Sequence, residues 1–416
     1  MKINSKDLNS YHKTVLDNGL TVLSEKIDSV RSASVGVWVK IGSRFEQAKE
    51  NGLSHFLEHM MFKGTPKRTP FKIAQSLESL GGTLNAFTGK EVTCYFANTQ
   101  DIHLSHSVEV LSDIVCHSIF PEKEIGKEQM VILEEIKSIK DTPEDYIFDI
   151  FTEQIFPDHA LGRPVIGREE NITRFNRQIT LDFWHKNYNP AEMIIAAAGN
   201  FDHKQLVNLV QKFFTLQGRT NKKHLKPVKA AKSKFYIYNQ PINQAHICIG
   251  GESCSYLSPD RLPLLIINTY LGGGMSSCLF QKLREKKGLV YNVYSFTDFY
   301  SDIGLLGVYA AADPKKLDHV QKLLLNEIEI LCKKFISTKN IRMVKEQLKG
   351  NLVLSLENTS NRMSKLAKNE LYFKDYISVD DLLQQVEEVS REEIEHAIQK
   401  YLDPAHFITV VLQPAN

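Results

Sequence analysis

The sequence contains no uninterrupted apolar stretch of the roughly 18 residues that a membrane-spanning helix requires. Its 416 residues are 42% apolar and 24% charged, the balance of a soluble globular protein, so no membrane partner is expected. Charge of one sign is scarce too. A formal net charge of +2 gives no support for a nucleic-acid partner, and any recognition by charge must be local. Residues 1–8 are polar and lack the apolar core of a secretory signal. Cysteines are few and scattered, at Cys94, Cys116, Cys248, Cys254, Cys278 and Cys332, with no C-x-x-C pair. Neither a zinc ribbon nor a disulfide framework fits that spacing, and reduced thiols in the cytoplasm are expected.

The chain is too long for one ordinary domain, and two domains of about 200 residues are the starting expectation. A polar, basic stretch with little periodicity occupies 216–233 and reads as a linker between domains at 1–215 and 234–416. On either side of it the same order of elements recurs. The first half predicts a strand at 34–40, a helix over 53–61, strands near 83–87 and 93–98, and a helix from Leu104. The second half predicts a strand at 244–249, a helix over 262–271, strands near 290–296 and 304–311, and a helix from Pro314. The fold class expected is α+β: two homologous domains of similar fold, each a mainly antiparallel sheet packed with helices.

The first-half helix carries His55-Phe56-Leu57-Glu58-His59, whereas its second-half counterpart over 264–270 carries no ligand. One metal site is therefore expected. Residues four apart lie one turn apart on the same helix face, so His55 and His59 can bind one metal through imidazole nitrogens. Glu58 shares that face, close to the metal but free to hold a water. This H-x-x-E-H pattern reverses the better known H-E-x-x-H. Alone, it also fits two surface histidines and a carboxylate that share a helix. A second helix, over 124–140, places Ile125, Gln129, Ile132, Ile136 and Ile139 at helical spacing, with Glu128 and Glu135 inside that stripe. Carboxylates among isoleucines need a cation or strong donors. Zinc held by His55, His59 and Glu135 would serve, with Glu128 acting behind a histidine ring. Arginines in the core would serve as well.

The stretch Asn51-Gly52-Leu53-Ser54-His55-Phe56-Leu57-Glu58-His59-Met60-Met61-Phe62-Lys63-Gly64-Thr65 resembles the signature of the pitrilysin/insulinase inverzincins. It is most similar to their mitochondrial-processing-peptidase-like branch, which includes short bacterial members. In that family the third ligand lies far downstream of H-x-x-E-H, at a separation that falls on Glu135. Leu16-Asp17-Asn18-Gly19-Leu20 resembles the family's opening strand, and 141–145 and 161–167 fit the segments that follow the ligand helix. Leu271-Gly272-Gly273-Gly274-Met275-Ser276-Ser277 resembles the branch's glycine-rich loop. Arg284 and Tyr291 match the spacing of a pair that the resemblance assigns to gripping substrate or stabilising the oxyanion. The strand with Asn85 and Ala86 resembles the substrate-binding edge, to which an extended peptide adds through main-chain hydrogen bonds.

The resemblance implies a zinc-dependent, processing-peptidase-like endopeptidase of the bacterial cytoplasm that cuts peptides or unfolded segments. Zinc would polarise the scissile carbonyl and acidify water, and Glu58 would take the water proton and return it to the leaving amine. In the two-subunit mitochondrial enzyme the metal site and the glycine-rich loop belong to different subunits. Here one chain carries both, which implies a homodimer. The alternative is a non-catalytic structural or partner subunit of the same fold, similar to the core proteins of the respiratory cytochrome complex. Such relatives lose zinc ligands, whereas His55, Glu58, His59, Glu128 and Glu135 are all present.

Overall fold

The computed structural model describes residues 10–216 and 225–415; residues 1–9, and 217–224 of the expected linker, lie outside the described residues. The chain forms two compact units, and neither is contiguous in sequence. The first comprises Met1–Ile136, Arg163–Leu225 and Leu354–Ser378, and the second Lys137–Gly162, Lys226–Val353 and Val379–Asn416. The linear boundaries at 1–215 and 234–416 therefore do not describe the units. The long helices Glu122–Lys140 and Thr338–Ser355 each run across a unit boundary. The next helix in each case, Pro143–Ile155 or Thr359–Lys368, packs on the sheet of the unit it has entered.

The first unit holds β1 (Tyr11–Val15), β2 (Thr21–Lys26), β3 (Ser32–Val39), β4 (Thr83–Thr88), β5 (Thr93–Gln100) and β6 (Met193–Gly199). Their order is β1-β2-β6-β3-β5-β4, antiparallel except for β2 against β6. Leu16–Leu20 is not a strand but the turn of the β1–β2 hairpin. Gly19 N–H donates to Leu16 O at 2.8 Å, and the φ of +87° at Gly19 is one that glycine adopts without steric cost. Leu23, Trp38, Cys94, Ile194 and Ala196 pack against Met363, Leu366 and Ala367 of the Thr359–Lys368 helix.

In the second unit β7 (Lys234–Gln240), β8 (Ala245–Ser253), β9 (Val290–Phe299), β10 (Gly304–Ala312) and β11 (Ile408–Pro414) form a sheet in the order β7-β11-β8-β10-β9. Both faces of this sheet are covered. Ala245, Ile247 and Ile249 join a core with Leu264, Ile267, Leu324 and Ile328, while Cys248 between them joins Ile147, Phe151 and Val410. Such double burial removes the apolar–polar alternation that marks a half-exposed strand. The order repeats that of the first sheet from β2 onward, strand for strand, down to the single parallel pair (β7 with β11). Two domains of similar fold are present, as the recurring element order predicts. Among the described residues no helix is long and apolar enough to cross a membrane.

Candidate metal centre

The helix Leu53–Met61 starts at Gly52, whose φ is +98°. A Cβ there would lie 2.7 Å from Gly167 Cα, so both conformation and space require glycine. Leu53, Phe56, Leu57, Met60 and Met61 are buried and anchor one side of the helix. The i, i+3, i+4 spacing then leaves His55, Glu58 and His59 together on another face. Their two imidazole rings lie 4.7 Å apart, centre to centre. Burial, with His59 beside it, pushes the His55 imidazole down to about 3, so the ring is neutral, the form that binds a metal.

On the Glu122–Lys140 helix, Ile125, Glu128, Ile132 and Ile136 are buried. Gln129, the neutral member of the stripe, donates to Ile172 O and Phe175 O, both at 2.9 Å. Glu135 Oε2 lies 3.8 Å from His55 Nε2 and 3.8 Å from His59 Nε2, with the carboxylate side chain 43% exposed. His55, His59 and Glu135 offer ligand atoms that all lie within 4.8 Å of one another, the one such group among the described residues. Tetrahedral zinc with bonds of about 2.0–2.1 Å sets its ligands about 3.4 Å apart, close to the separations here. His55 Nδ1 is buried without a hydrogen-bond partner. Two imidazoles and one carboxylate with an exposed side fit a zinc ion that keeps an open position.

Among the described residues Glu128 meets no arginine. It accepts from His59 Nδ1 at 3.1 Å and from Lys63 Nζ at 2.6 Å. Burial pushes its carboxyl up, but the bonds to His59 and Lys63 outweigh it and hold the group below the usual range. Donation from Nδ1 to Glu128 turns the Nε2 side of the ring toward Glu135. Lys63 stands in the signature stretch with no role assigned to it from the sequence, although it follows His59 by one helical turn's spacing. Thr88, at the end of β4 and not singled out from the sequence, donates its hydroxyl to Glu58 Oε2. Burial raises the Glu58 carboxyl, the Thr88 bond and His59 oppose the rise, and Glu135 adds to it.

Asn85 and Ala86 lie on β4, an edge strand paired only with β5. The Ala86 N–H donates to Asn85 Oδ1 at 2.8 Å. Arg284 and Tyr291 belong to the second unit, where they meet: the guanidinium lies 5.8 Å from the Tyr291 ring centre and 4.9 Å from that of Phe280. Tyr291 is 72% exposed.

The family model described as insulinase (peptidase family M16) matches residues 21–169, and that described as peptidase M16 inactive domain matches residues 174–348. An uncharacterized zinc protease of Streptomyces coelicolor is 35% identical over 412 residues, covering 97% of this chain and 90% of that protein. One of Bacillus subtilis is 34% identical over 399 residues, covering 96% and 97%. Among solved structures, a protease from Helicobacter pylori matches with a TM-score of 0.91 at 23% identity, covering 97% of this chain and 99% of that one. A Pseudomonas fluorescens structure described as a peptidase M16 inactive domain gives 0.91 at 17% identity, covering 98% of each. Matches of this identity over nearly the whole length, with both halves recognised, make the chain a member of the insulinase (M16) peptidase family.

Proposed function

We propose that this chain is a zinc-dependent endopeptidase cutting peptides or unfolded segments, with Glu58 as general base. The observation that carries the reading is the convergence of His55, His59 and Glu135, with Glu58 on the same helix face but outside that set. A bound zinc ion supplies Lewis acidity toward a carbonyl and acidifies water. His55, His59 and Glu135 hold the ion, and Glu128 fixes the tautomer and aim of His59. Glu58 takes a proton from the attacking water and delivers it to the leaving amine nitrogen. A carboxyl raised by burial suits that exchange better than an ordinary one.

An extended peptide adds to β4 beside Asn85 and Ala86, displacing the Asn85 side chain from the Ala86 N–H. In the same reading Arg284 and Tyr291 grip substrate, and two copies work as a homodimer in which each serves the other's site. A monomer with full activity contradicts that last part. We assign the enzyme to the bacterial cytoplasm, in keeping with its bacterial relatives.

The test is cleavage of a quenched fluorescent basic peptide by wild type and Glu58→Gln, with zinc content measured in both. Wild type is expected to cut and to be silenced by a chelator. Glu58→Gln is expected to keep its zinc and lose roughly 10²–10⁴-fold in turnover. A wild type that holds zinc yet cuts nothing in a broad peptide library supports the non-catalytic subunit instead.

A further inference from the structure

The helix bearing His55, Glu58 and His59 begins at Gly52, which has no side chain to cap it. A carboxylate from outside the helix meets its first N–H groups. Gly52 N–H donates to Glu46 Oε2 at 2.8 Å, Ser54 N–H to Glu46 Oε1 at 2.7 Å, and Asn51 Nδ2 to Oε2 at 3.3 Å. Glu46 is only 3% exposed. Burial pushes the Glu46 carboxyl above the usual range, and the donors, at the positive end of the helix dipole, oppose that rise.

The cap is itself braced. Arg163 Nη2 donates to Glu46 O at 2.8 Å, and Asn51 Nδ2 to Pro164 O at 2.9 Å. Asn171 Nδ2 donates to Ala48 O at 2.9 Å and to Asn51 O at 3.2 Å. Removing a carboxylate from water is costly, and a serine or aspartate at the cap position satisfies the same donors near the surface. What the buried arrangement adds is a rigid first turn. Ser54, whose N–H it holds, immediately precedes His55, which faces Glu135 at 3.8 Å.

We infer that Glu46 is a positioning residue for the metal centre, fixing the first turn of the motif helix and with it the placement of His55 against Glu135. This rests on the zinc reading proposed above. The test compares zinc affinity, by chelator competition, and zinc-free melting temperature in wild type, Glu46→Gln and Glu25→Gln. Glu25 is a control buried to a similar degree, 4% exposed on β2 and bonded to Arg362. Both variants are expected to melt lower, and Glu46→Gln alone to weaken zinc binding, by roughly tenfold or more. Unchanged affinity in Glu46→Gln, or an equal loss in both variants, overturns the positioning role. Should Glu46→Gln fail to fold, Asn51→Ala removes one donor to the carboxylate and the tie to Pro164. It should weaken zinc less, and unchanged affinity there overturns the role equally. A wild type that binds no zinc overturns the site itself, and this inference with it.

Discussion

Replacing Glu128 by glutamine keeps the shape of the side chain and removes its charge. The carboxylate serves two donors, His59 Nδ1 at 3.1 Å and Lys63 Nζ at 2.6 Å, and its side chain is 6% exposed. Glutamine has one acceptor oxygen, so its NH₂ group must face either the imidazole N–H or the ammonium. One charge-assisted bond, worth about 1.5–3 kcal/mol, is lost in either pose. The share that reaches the metal is what His59 loses in orientation and basicity, a 10–100-fold fall in affinity for partners of this kind. That corresponds to about 1.4–2.8 kcal/mol. Competition with a chromophoric chelator at neutral pH measures it directly. Pairing the change with Lys63→Met tests the route: without the ammonium the glutamine can turn its oxygen to His59, so the double variant should bind zinc better than the separate losses add up to. Zinc affinity within twofold of wild type in Glu128→Gln, at an unaltered melting temperature, would refute the idea that Glu128 acts through His59.

Two further expectations concern the substrate edge and the second unit. Ala86→Pro deletes the N–H that donates to Asn85 Oδ1 on the edge strand; kcat/KM for an extended peptide should fall severalfold with zinc content unchanged, and unaltered kinetics would exclude strand addition at that point. His246 is buried, bonded to the Tyr309 hydroxyl at 2.8 Å, and burial lowers its pKa while Glu144 partly offsets the shift. The unfolded chain, whose imidazole titrates near about 6.5, therefore takes up the proton first as pH falls, and stability drops with acidification through that range. In zinc-free protein, His246→Gln should flatten the fall in melting temperature between about pH 7.5 and about pH 5.5; a slope equal to that of wild type would show that this burial is not felt.

What could be read from the sequence was local. The helix over 53–61 has the predicted bounds because Gly52 opens it and five buried apolar residues repeat at its period. Glu128 and Glu135 stand out because carboxylates inside an isoleucine stripe need an explanation; Glu128 meets His59 and Lys63, and Glu135 lies beside His55 and His59. The strands that were missed owe their place to distant partners. Met193–Gly199 is buried at every position, so no alternation marks it, and it finds its place between β2 and β3 from far along the chain. β11 lies between β7 and β8 in the same way. Leu16–Leu20 was taken for a strand because the flanking β1 and β2 were not recognised as the arms around its Asn18-Gly19 turn. Nothing in the composition of Glu122–Lys140 or Thr338–Ser355 announces that a unit boundary falls inside a helix.

The topology is duplicated, yet among the described residues only the first half offers a candidate metal site. After β3 the chain enters a short helix with one side packed and His55, Glu58 and His59 partly open to solvent. After β8 the corresponding helix, Arg261–Gly272, buries Pro263, Leu264, Ile266, Ile267 and Leu271, and its Asn268 O accepts from the Ser295 hydroxyl at 2.7 Å. That helix also leaves a partly open face, on which Leu265, Asn268 and Thr269 stand at the i, i+3, i+4 spacing, but none of the three brings an imidazole or a carboxylate. The description of residues 174–348 as an inactive domain agrees with that chemistry. The two halves keep one fold because strand order and core packing constrain them alike, and they differ in chemistry because the partly open helix face carries His55, Glu58 and His59 in one and Leu265, Asn268 and Thr269 in the other.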